Sequence, residues 1–273
     1  MGEPGPPAAI HADVLRNRAE ILRRLHHAPG ALVLPNVWDV ESARLVGAVG
    51  FPAIATSSSA IAASLGVEDG EAMGPELAFE VLARIARAVP LPLSADIEAG
   101  YGLKPSELVD RLLAAGAVGC NLEDSDHHGS SVLIDASAQA NRIEGLCTAA
   151  EAAGVPIIVN ARVDVFIRSV GAPESRVAET LRRGRTYLAA GAACIYPIGV
   201  SDERDIEELV KSMGGPVNIW LRSGTPTLQR LQELGVARIS LAGGLQKFAS
   251  SSLHGALRAL RGGDASMIVQ GGV

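Results

Sequence analysis

Short apolar runs alternate along this chain with longer stretches in which apolar positions recur every three or four residues. Runs bounded by turn residues predict buried strands, and a 3.6-residue period predicts amphipathic helices. The predicted strands are Leu32–Pro35, Ala53–Thr56, Leu93–Asp96, Gly119–Leu122, Ile157–Asn160, Cys194–Pro197, Val217–Trp220 and Arg238–Leu241. The predicted helices are Val40–Val49, Pro75–Ala88, Pro105–Ala115, Ala136–Ala153, Glu174–Ala190, Glu203–Met213, Thr227–Leu234 and Lys247–Arg261. A leading helix within Ile10–His27 carries Val14, Ile21, Leu22 and Leu25 at near-helical spacing.

A glycine turn precedes several strands, in Val49-Gly50-Phe51, Ala115-Gly116-Ala117, Ala153-Gly154-Val155, Ala190-Gly191-Ala192 and Leu234-Gly235-Val236. Glycine just past a helix takes a positive φ without a Cβ clash, which ends the helix there. Pro92, Pro156 and Pro216 stand near strand starts, where a missing N–H is tolerated. Strands alternating with helices imply parallel pairing and a (β/α)8 barrel, with a doubly wound open sheet as the alternative. No linker or composition shift marks a second domain, so residues 1–273 are expected to form one barrel domain, with the Gly/Pro-rich residues 1–8 disordered.

The chain's 273 residues suit one such barrel. Aromatic residues make up only 3% of a composition that is 48% hydrophobic, so Ala, Val, Leu and Ile must fill the core. The net charge of −6, with no basic stripe, argues against a nucleic-acid partner. Cys120, Cys147 and Cys194 form no CxxC pair and fit a reducing compartment. Cys120 and Cys194 fall in strand runs and Cys147 in a helix, where core roles are expected. No apolar run reaches the roughly 18 residues of a membrane span. No basic segment precedes an apolar one at the N-terminus, and a cytoplasmic location is expected.

Barrel chemistry sits at the C-terminal ends of the strands. Here those ends carry Trp38-Asp39, Ser57-Ser58-Ser59, Asp96-Ile97-Glu98, Glu123-Asp124, Arg162-Val163-Asp164, Arg222 and Gly243-Gly244. Alternation along a strand places Asp96 and Glu98 on one face. Two close buried carboxylates need a cation or a shared proton. Oxygen donors without Cys or His suit Mg²⁺, with Mn²⁺ as the substitute ion, better than Zn²⁺. Asp96, Glu98 and Glu123 are the candidate metal ligands, partly through water. Arg162 offers a fork for a substrate carboxylate or phosphonate. Ser57, Ser58 and Ser59 present successive N–H groups and hydroxyls to an oxyanion, or form an ordinary polar turn. Asn218, at the start of the seventh strand's Asn-Ile-Trp run, is a further substrate-binding candidate. Tyr101 and Gly102 form a gate or a tight turn, and His127-His128 lies in the polar segment Asp124–Asp135, as a solvated loop or a proton carrier.

The runs Ser57–Asp69, Asp96–Gly102, Asn121–Asp124, Asn160–Phe166 and Gly191–Pro197 together resemble the isocitrate lyase/phosphoenolpyruvate mutase superfamily over roughly residues 30 to 245. The resemblance implies a Mg²⁺-dependent enzyme on an α/β barrel that makes or breaks C–C or P–C bonds beside a carboxylate, through a metal-held enolate of a pyruvate-like unit. It implies Asp96 as the main metal aspartate and Glu98 where many members carry a second Asp. It further implies Glu123 as the acid of the next strand, Asp69 as the loop aspartate, Arg162 as the carboxylate clamp, and Ser57–Ser59 as the oxyanion-binding segment. Trp38 and Asp39 occupy the first strand's end in the same way. It also implies a homo-oligomer, dimer or tetramer, with the last helix, about Lys247 to Arg261, exchanged between subunits.

Departures narrow the activity. The Lys-Lys/Arg-Cys-Gly-His loop of the isocitrate and methylisocitrate lyases is replaced by Asp124–Asp135, and the mutases' Lys-x-Asn-Ser loop is absent. Ile198 stands where mutases carry His and methylisocitrate lyases carry Glu. The expected function is therefore C–C cleavage, by aldol-type cleavage or decarboxylation, of a small 2-oxo or 2-hydroxy acid. His127, Tyr101 or water would supply the proton, ahead of His128. P–C chemistry, as in a phosphonopyruvate hydrolase or a mutase, is the second reading. A non-catalytic binding protein that kept the metal pocket is the third.

Overall fold

Parallel strands close into a ring of eight staves in a computed structural model that describes residues 10–271. The first stave consists of β1 (Leu32–Leu34) and β2 (Asn36–Val37), split at Pro35, which has no N–H for the ladder. The others are β3 (Ile54–Thr56), β4 (Leu93–Asp96), β5 (Gly119–Glu123), β6 (Ile158–Val163), β7 (Cys194–Pro197), β8 (Asn218–Trp220) and β9 (Arg238–Ser240). Six strands pair in the order β2-β3-β4-β5-β6-β7 and three in the order β1-β9-β8. A parallel bridge between Ile195 and Val217 joins β7 to β8 and closes the ring. The expected barrel is therefore the architecture observed, and the open sheet is excluded. The expected disorder of residues 1–8 lies outside the described residues.

Helices follow the strands as the periodicity predicts: α2 (Val40–Val49), α4 (Pro75–Ala88), α5 (Pro105–Ala115), α6 (Ala136–Ala152), α7 (Arg176–Ala189), α8 (Glu203–Ser212), α9 (Leu228–Glu233) and α10 (Gly244–Arg261). The five glycines expected to end helices all have positive φ, between 72° and 102°. Two helices are additional to the sequence reading, α3 (Ser58–Leu65) and α11 (Ser266–Gly271). The polar run Ser57–Ser59, expected as an oxyanion-binding segment or a polar turn, caps and opens α3: the Ser57 hydroxyl accepts from the Ala60 amide, as an N-cap serine does.

The leading helix α1 (Ala12–Leu25) covers the N-terminal end of the barrel. Its Leu15, Ala19 and Leu22 pack with Leu32, Leu34, Val118, Val155 and Ile158. A Cβ at Gly119 would lie 2.7 Å from Leu22 Cδ2 and 3.0 Å from the Ile158 carbonyl oxygen, so a larger residue there would have to shift Leu22. Cys120 and Cys194 are fully buried in β5 and β7, as expected of core residues.

The barrel interior is unusually polar. Ser94, Asn121, Asn160, Asn218 and Arg238 are all buried at or below 4% exposure. Arg238 reaches across from β9 to donate to Ser94 Oγ (3.3 Å) and Asn121 Oδ1 (3.4 Å). Asn160 donates to the same Asn121 oxygen at 2.7 Å. These two donors fix the Asn121 amide with its NH₂ turned away from them.

His26, just past α1, is buried and donates from Nδ1 to Leu22 O at 2.8 Å. Burial, then the nearby Arg238 charge, push its pKa down to about 4. The neutral ring is the form the fold accepts, so this contribution is complete above pH about 6.5 and is lost as pH falls toward 4, on the order of 3 kcal/mol in all. Melting curves between pH 7.5 and 4.5 are expected to show this loss, and His26→Gln is expected to flatten it. An unchanged slope in the variant would contradict the assignment.

Candidate active site

The C-terminal ends of the staves surround two adjoining cavities, of about 150 Å³ and about 390 Å³. Ser58, Asp69 and Arg162 line both. The inner cavity adds Asp96, Asn121 and Tyr196, and the outer adds Glu98, Glu123 and His127. Strand residues as far apart in sequence as Asp96 and Tyr196 thus meet in one space, as barrel strand ends require.

Asp96 is the last residue of β4. Its Oδ2 accepts the Ser58 N–H at 2.9 Å, and its backbone N–H donates to Thr56 Oγ1 at 2.8 Å. Its Oδ1 is buried and has no partner among the described residues. Desolvation raises its pKa, against the pull of Arg162 and the Ser58 amide.

Glu98 does not continue the strand alternation used to place it. The strand ends at Asp96, and Glu98 lies in a turn with a left-handed φ of 51°. Its carboxylate still lines the outer cavity, held by the Glu71 N–H (2.5 Å) and the Tyr101 hydroxyl (3.2 Å). Burial and then Asp96 and Asp69 push it up to about 7. Glu98 already has protein donors on both oxygens, unlike Asp96.

Glu123, the last residue of β5, meets His127 Nε2 at 2.6 Å on one oxygen and Arg162 Nη1 at 2.5 Å on the other. Burial raises its pKa, opposed by Arg162 and His127. The hydrogen bond to Glu123 in turn raises His127, outweighing its desolvation. His127 is therefore bound to the site rather than solvated in a loop. His128 points elsewhere, with Nε2 at 2.6 Å from Glu71 Oε2 and its side chain 69% exposed.

Arg162 projects from β6. Its Nε and Nη2 donate to the two oxygens of Asp164, at 2.7 Å and 2.9 Å, and Nη1 pairs with Glu123. Burial opposes its charge, but Glu123, Asp164 and Asp96 hold its pKa above the ordinary range. One N–H on each terminal nitrogen remains for a ligand. Asp164 is positioned by Ser125 Oγ, and the Asp164 amide donates to Asp124, which Tyr187 and Arg183 hold in turn.

Ser58 gives its amide to Asp96, and the Ala60 amide turns back to Ser57. The Ser59 amide has no protein acceptor among the described residues. It stands at the N-terminus of α3, where the helix dipole favours an anion.

Carboxylates raised by burial and by one another favour a cation between them. Among the described residues, no three His, Cys, Asp or Glu side chains converge as a ready-made chelate. One orphaned carboxylate oxygen with further acids around the same space instead fits Mg²⁺, which keeps several waters and takes few carboxylates.

Three sequence candidates fall outside this space. Asp39 caps α2 by accepting the Ser42 amide, and Trp38 lines an apolar groove beside α10. Asn218 is fully buried below the cavity, with Oδ1 taken by the Ser240 hydroxyl. Trp38 and Asp39 do stand at the first stave's end, but their side chains turn to an outer groove and a helix cap, while Asn218 opens β8 and turns into the barrel interior. Tyr101 reaches the site only through Glu98, and its own amide donates to Glu71 Oε1 at 2.5 Å. The sequence reading also passed over Glu71, Trp220 and Lys247. Glu71 has a left-handed φ of 66° and ties three loops together through Glu98, Tyr101 and His128. No local pattern in the sequence singles it out.

The model of the family "Phosphoenolpyruvate phosphomutase" matches residues 22–261. A Burkholderia cenocepacia J2315 crystal structure, assigned provisionally to the phosphonomutases, is 40% identical with a TM-score of 0.83, covering 89% of this chain and 99% of that one. The oxaloacetate decarboxylase of Ectopseudomonas mendocina (strain ymp) is 31% identical over 83% of this chain and 79% of its own length. The phosphonopyruvate hydrolase of Variovorax sp. (strain Pal2) is 31% identical over 85% of this chain and 79% of its own length.

Proposed function

We propose, from the premise that this chain belongs to the phosphoenolpyruvate phosphomutase family and is an enzyme of that lyase and mutase superfamily, that it cleaves a C–C bond in a small 2-oxo or 2-hydroxy acid. One observation carries the reading. Asp96, whose buried Oδ1 has no partner among the described residues, lines a cavity that also holds the Arg162 fork and the N-terminus of α3.

Asp96 would hold a divalent cation directly, with Glu98 and Glu123 acting through water. When bound, such an ion supplies Lewis acidity to the oxygen next to the substrate carboxylate. Arg162 and the Ser59 amide bind and orient that carboxylate. Ile167 and Ile198 form an apolar wall that limits water. When the substrate is a 2-oxo acid, the electron pair of the breaking C–C bond passes into the 2-oxo carbonyl, CO₂ leaves, and the carbon left behind takes the proton that His127 Nε2 shares with Glu123. Glu123 keeps that proton available by raising the imidazole's pKa. A screen of 2-oxo and 2-hydroxy acids, read by pyruvate or CO₂ release, is expected to find turnover that chelation abolishes and Mg²⁺ or Mn²⁺ restores. Full turnover after chelation, or none on the panel, would contradict the reading.

P–C cleavage is the second reading, supported by the 31% identity to a phosphonopyruvate hydrolase. Phosphorus NMR of the same reaction with phosphonopyruvate separates the two. Against it, Ile198 presents no polar atom to a phosphonate.

The reading extends to assembly and location. None of the residues of α10 is buried, and Phe248 is 71% exposed beside an apolar groove of about 420 Å³ that includes Leu45, Val49 and Leu245. Such a patch suits a second copy exchanging this helix. Light scattering is expected to give a dimer or tetramer, and Phe248→Glu a smaller particle. A monomeric wild type would contradict it. No helix among the described residues is long and apolar enough to cross a membrane, in keeping with a cytoplasmic enzyme.

A further inference from the structure

Lys247 lies in the first turn of α10, and its side chain lines the inner cavity together with Asp96, Arg162 and Trp220. Two backbone features bring it there. Ala242 takes a left-handed φ of 46°, which turns the chain at the barrel mouth. Gly243 then runs alongside the lysine stem: a Cβ there would lie 3.4 Å from Ser59 Oγ and 3.9 Å from Lys247 Cε, both ordinary contacts. The stem thus passes beside the oxyanion-binding segment.

The two cations at the mouth differ in their partners. Arg162 is already engaged by Glu123 and Asp164. Lys247 is exposed at the mouth, and among the described residues its ammonium has no carboxylate within ion-pair distance. Following the strand order β9-β8-β7-β6, the two cations rise from staves three apart in a ring of eight, so they stand across the cavity from one another. Trp220, Tyr196 and Ile198 line the wall between. The inner cavity's roughly 150 Å³ equals about five waters' share of liquid volume, enough for a short carbon chain.

We propose that Lys247 forms a distal anion subsite, which takes the second carboxylate of a dicarboxylic 2-oxo or 2-hydroxy acid whose first carboxylate lies at Arg162. The inference rests on the carboxylate-binding role given to this cavity above, and it adds the residue that holds the distal carboxylate. A monocarboxylate leaves the ammonium without a partner, and a dicarboxylate spans both cations.

Lactate and malate differ by one distal carboxylate, so they test the subsite by calorimetry in Mg²⁺. Wild type is expected to bind malate on the order of tenfold more tightly than lactate. Lys247→Met is expected to reduce that preference to about twofold or less, and Lys247→Arg to keep most of it. Lactate affinity and Mg²⁺-dependent oxalate binding are expected to stay the same in all three proteins. An undiminished malate preference in Lys247→Met would overturn the proposal, as would a wild type without the preference. If wild type binds Mg²⁺ and oxalate yet treats malate and lactate alike, the subsite fails alone. If it binds no oxalate with Mg²⁺, the carboxylate-binding reading fails and the subsite falls with it.

Discussion

Asp96→Asn is expected to lower kcat/KM by about 10³-fold or more while leaving the barrel folded. Asparagine keeps the shape of the side chain, and its Oδ1 can still accept the Ser58 N–H that Asp96 accepts at 2.9 Å. What disappears is the negative charge on a buried oxygen that no group among the described residues satisfies. Asp96 is disfavoured as an anion by its own burial, and it raises neighbouring Glu98. Removing its charge should therefore not lower the melting temperature of the metal-free protein. A variant that loses activity and unfolds would point to a structural aspartate. One that keeps full activity would remove Asp96 from the chemistry.

The second large effect is expected at Arg162. Arg162→Lys keeps a positive charge but loses the fork that meets both Asp164 oxygens and Glu123 together. Expected consequences are a drop of about 10²-fold or more in kcat/KM and a stability loss on the order of 3 kcal/mol, because a buried carboxylate loses its partner. The activity loss should appear in both KM and kcat, since the residue binds the substrate carboxylate and also orients Glu123 and, through it, His127. Steady-state kinetics and thermal unfolding of the variant check both. A change in KM alone would reduce Arg162 to a binding group.

The barrel was legible in the sequence because its signals are local. Apolar runs, helical spacing and the glycines that end helices each act within a few residues, and the ring of parallel strands follows from their alternation. The convergence of Asp96, Glu123 and Arg162 was legible for the same reason, since strand ends on one side of a barrel must meet. The split at Pro35 followed from a missing N–H, although the sequence reading took Leu32–Pro35 as a single strand.

What was not legible depends on how loops travel and where long side chains turn. Glu98 was placed by strand alternation, but the strand stops two residues earlier and a left-handed turn delivers the carboxylate instead. Glu71 and His128 are 57 residues apart and meet only because two loops cross over the site. Arg238 sits in an apolar-looking strand, yet it is fully buried and spans the barrel to Ser94 and Asn121. Lys247 opens a helix that by its sequence is an ordinary outer helix, and the turn at Ala242 and Gly243 brings it to the cavity.

The central claim is that a divalent cation and a small carboxylate meet at Asp96. The most direct measurement is a crystal structure of the enzyme soaked with Mn²⁺ and oxalate, with the manganese located by its anomalous scattering. The expected result is one strong peak within coordination distance of Asp96 Oδ1, with oxalate extending toward Arg162 and the N-terminus of α3. A peak elsewhere with the Asp96 cavity holding neither ion nor oxalate would contradict the account.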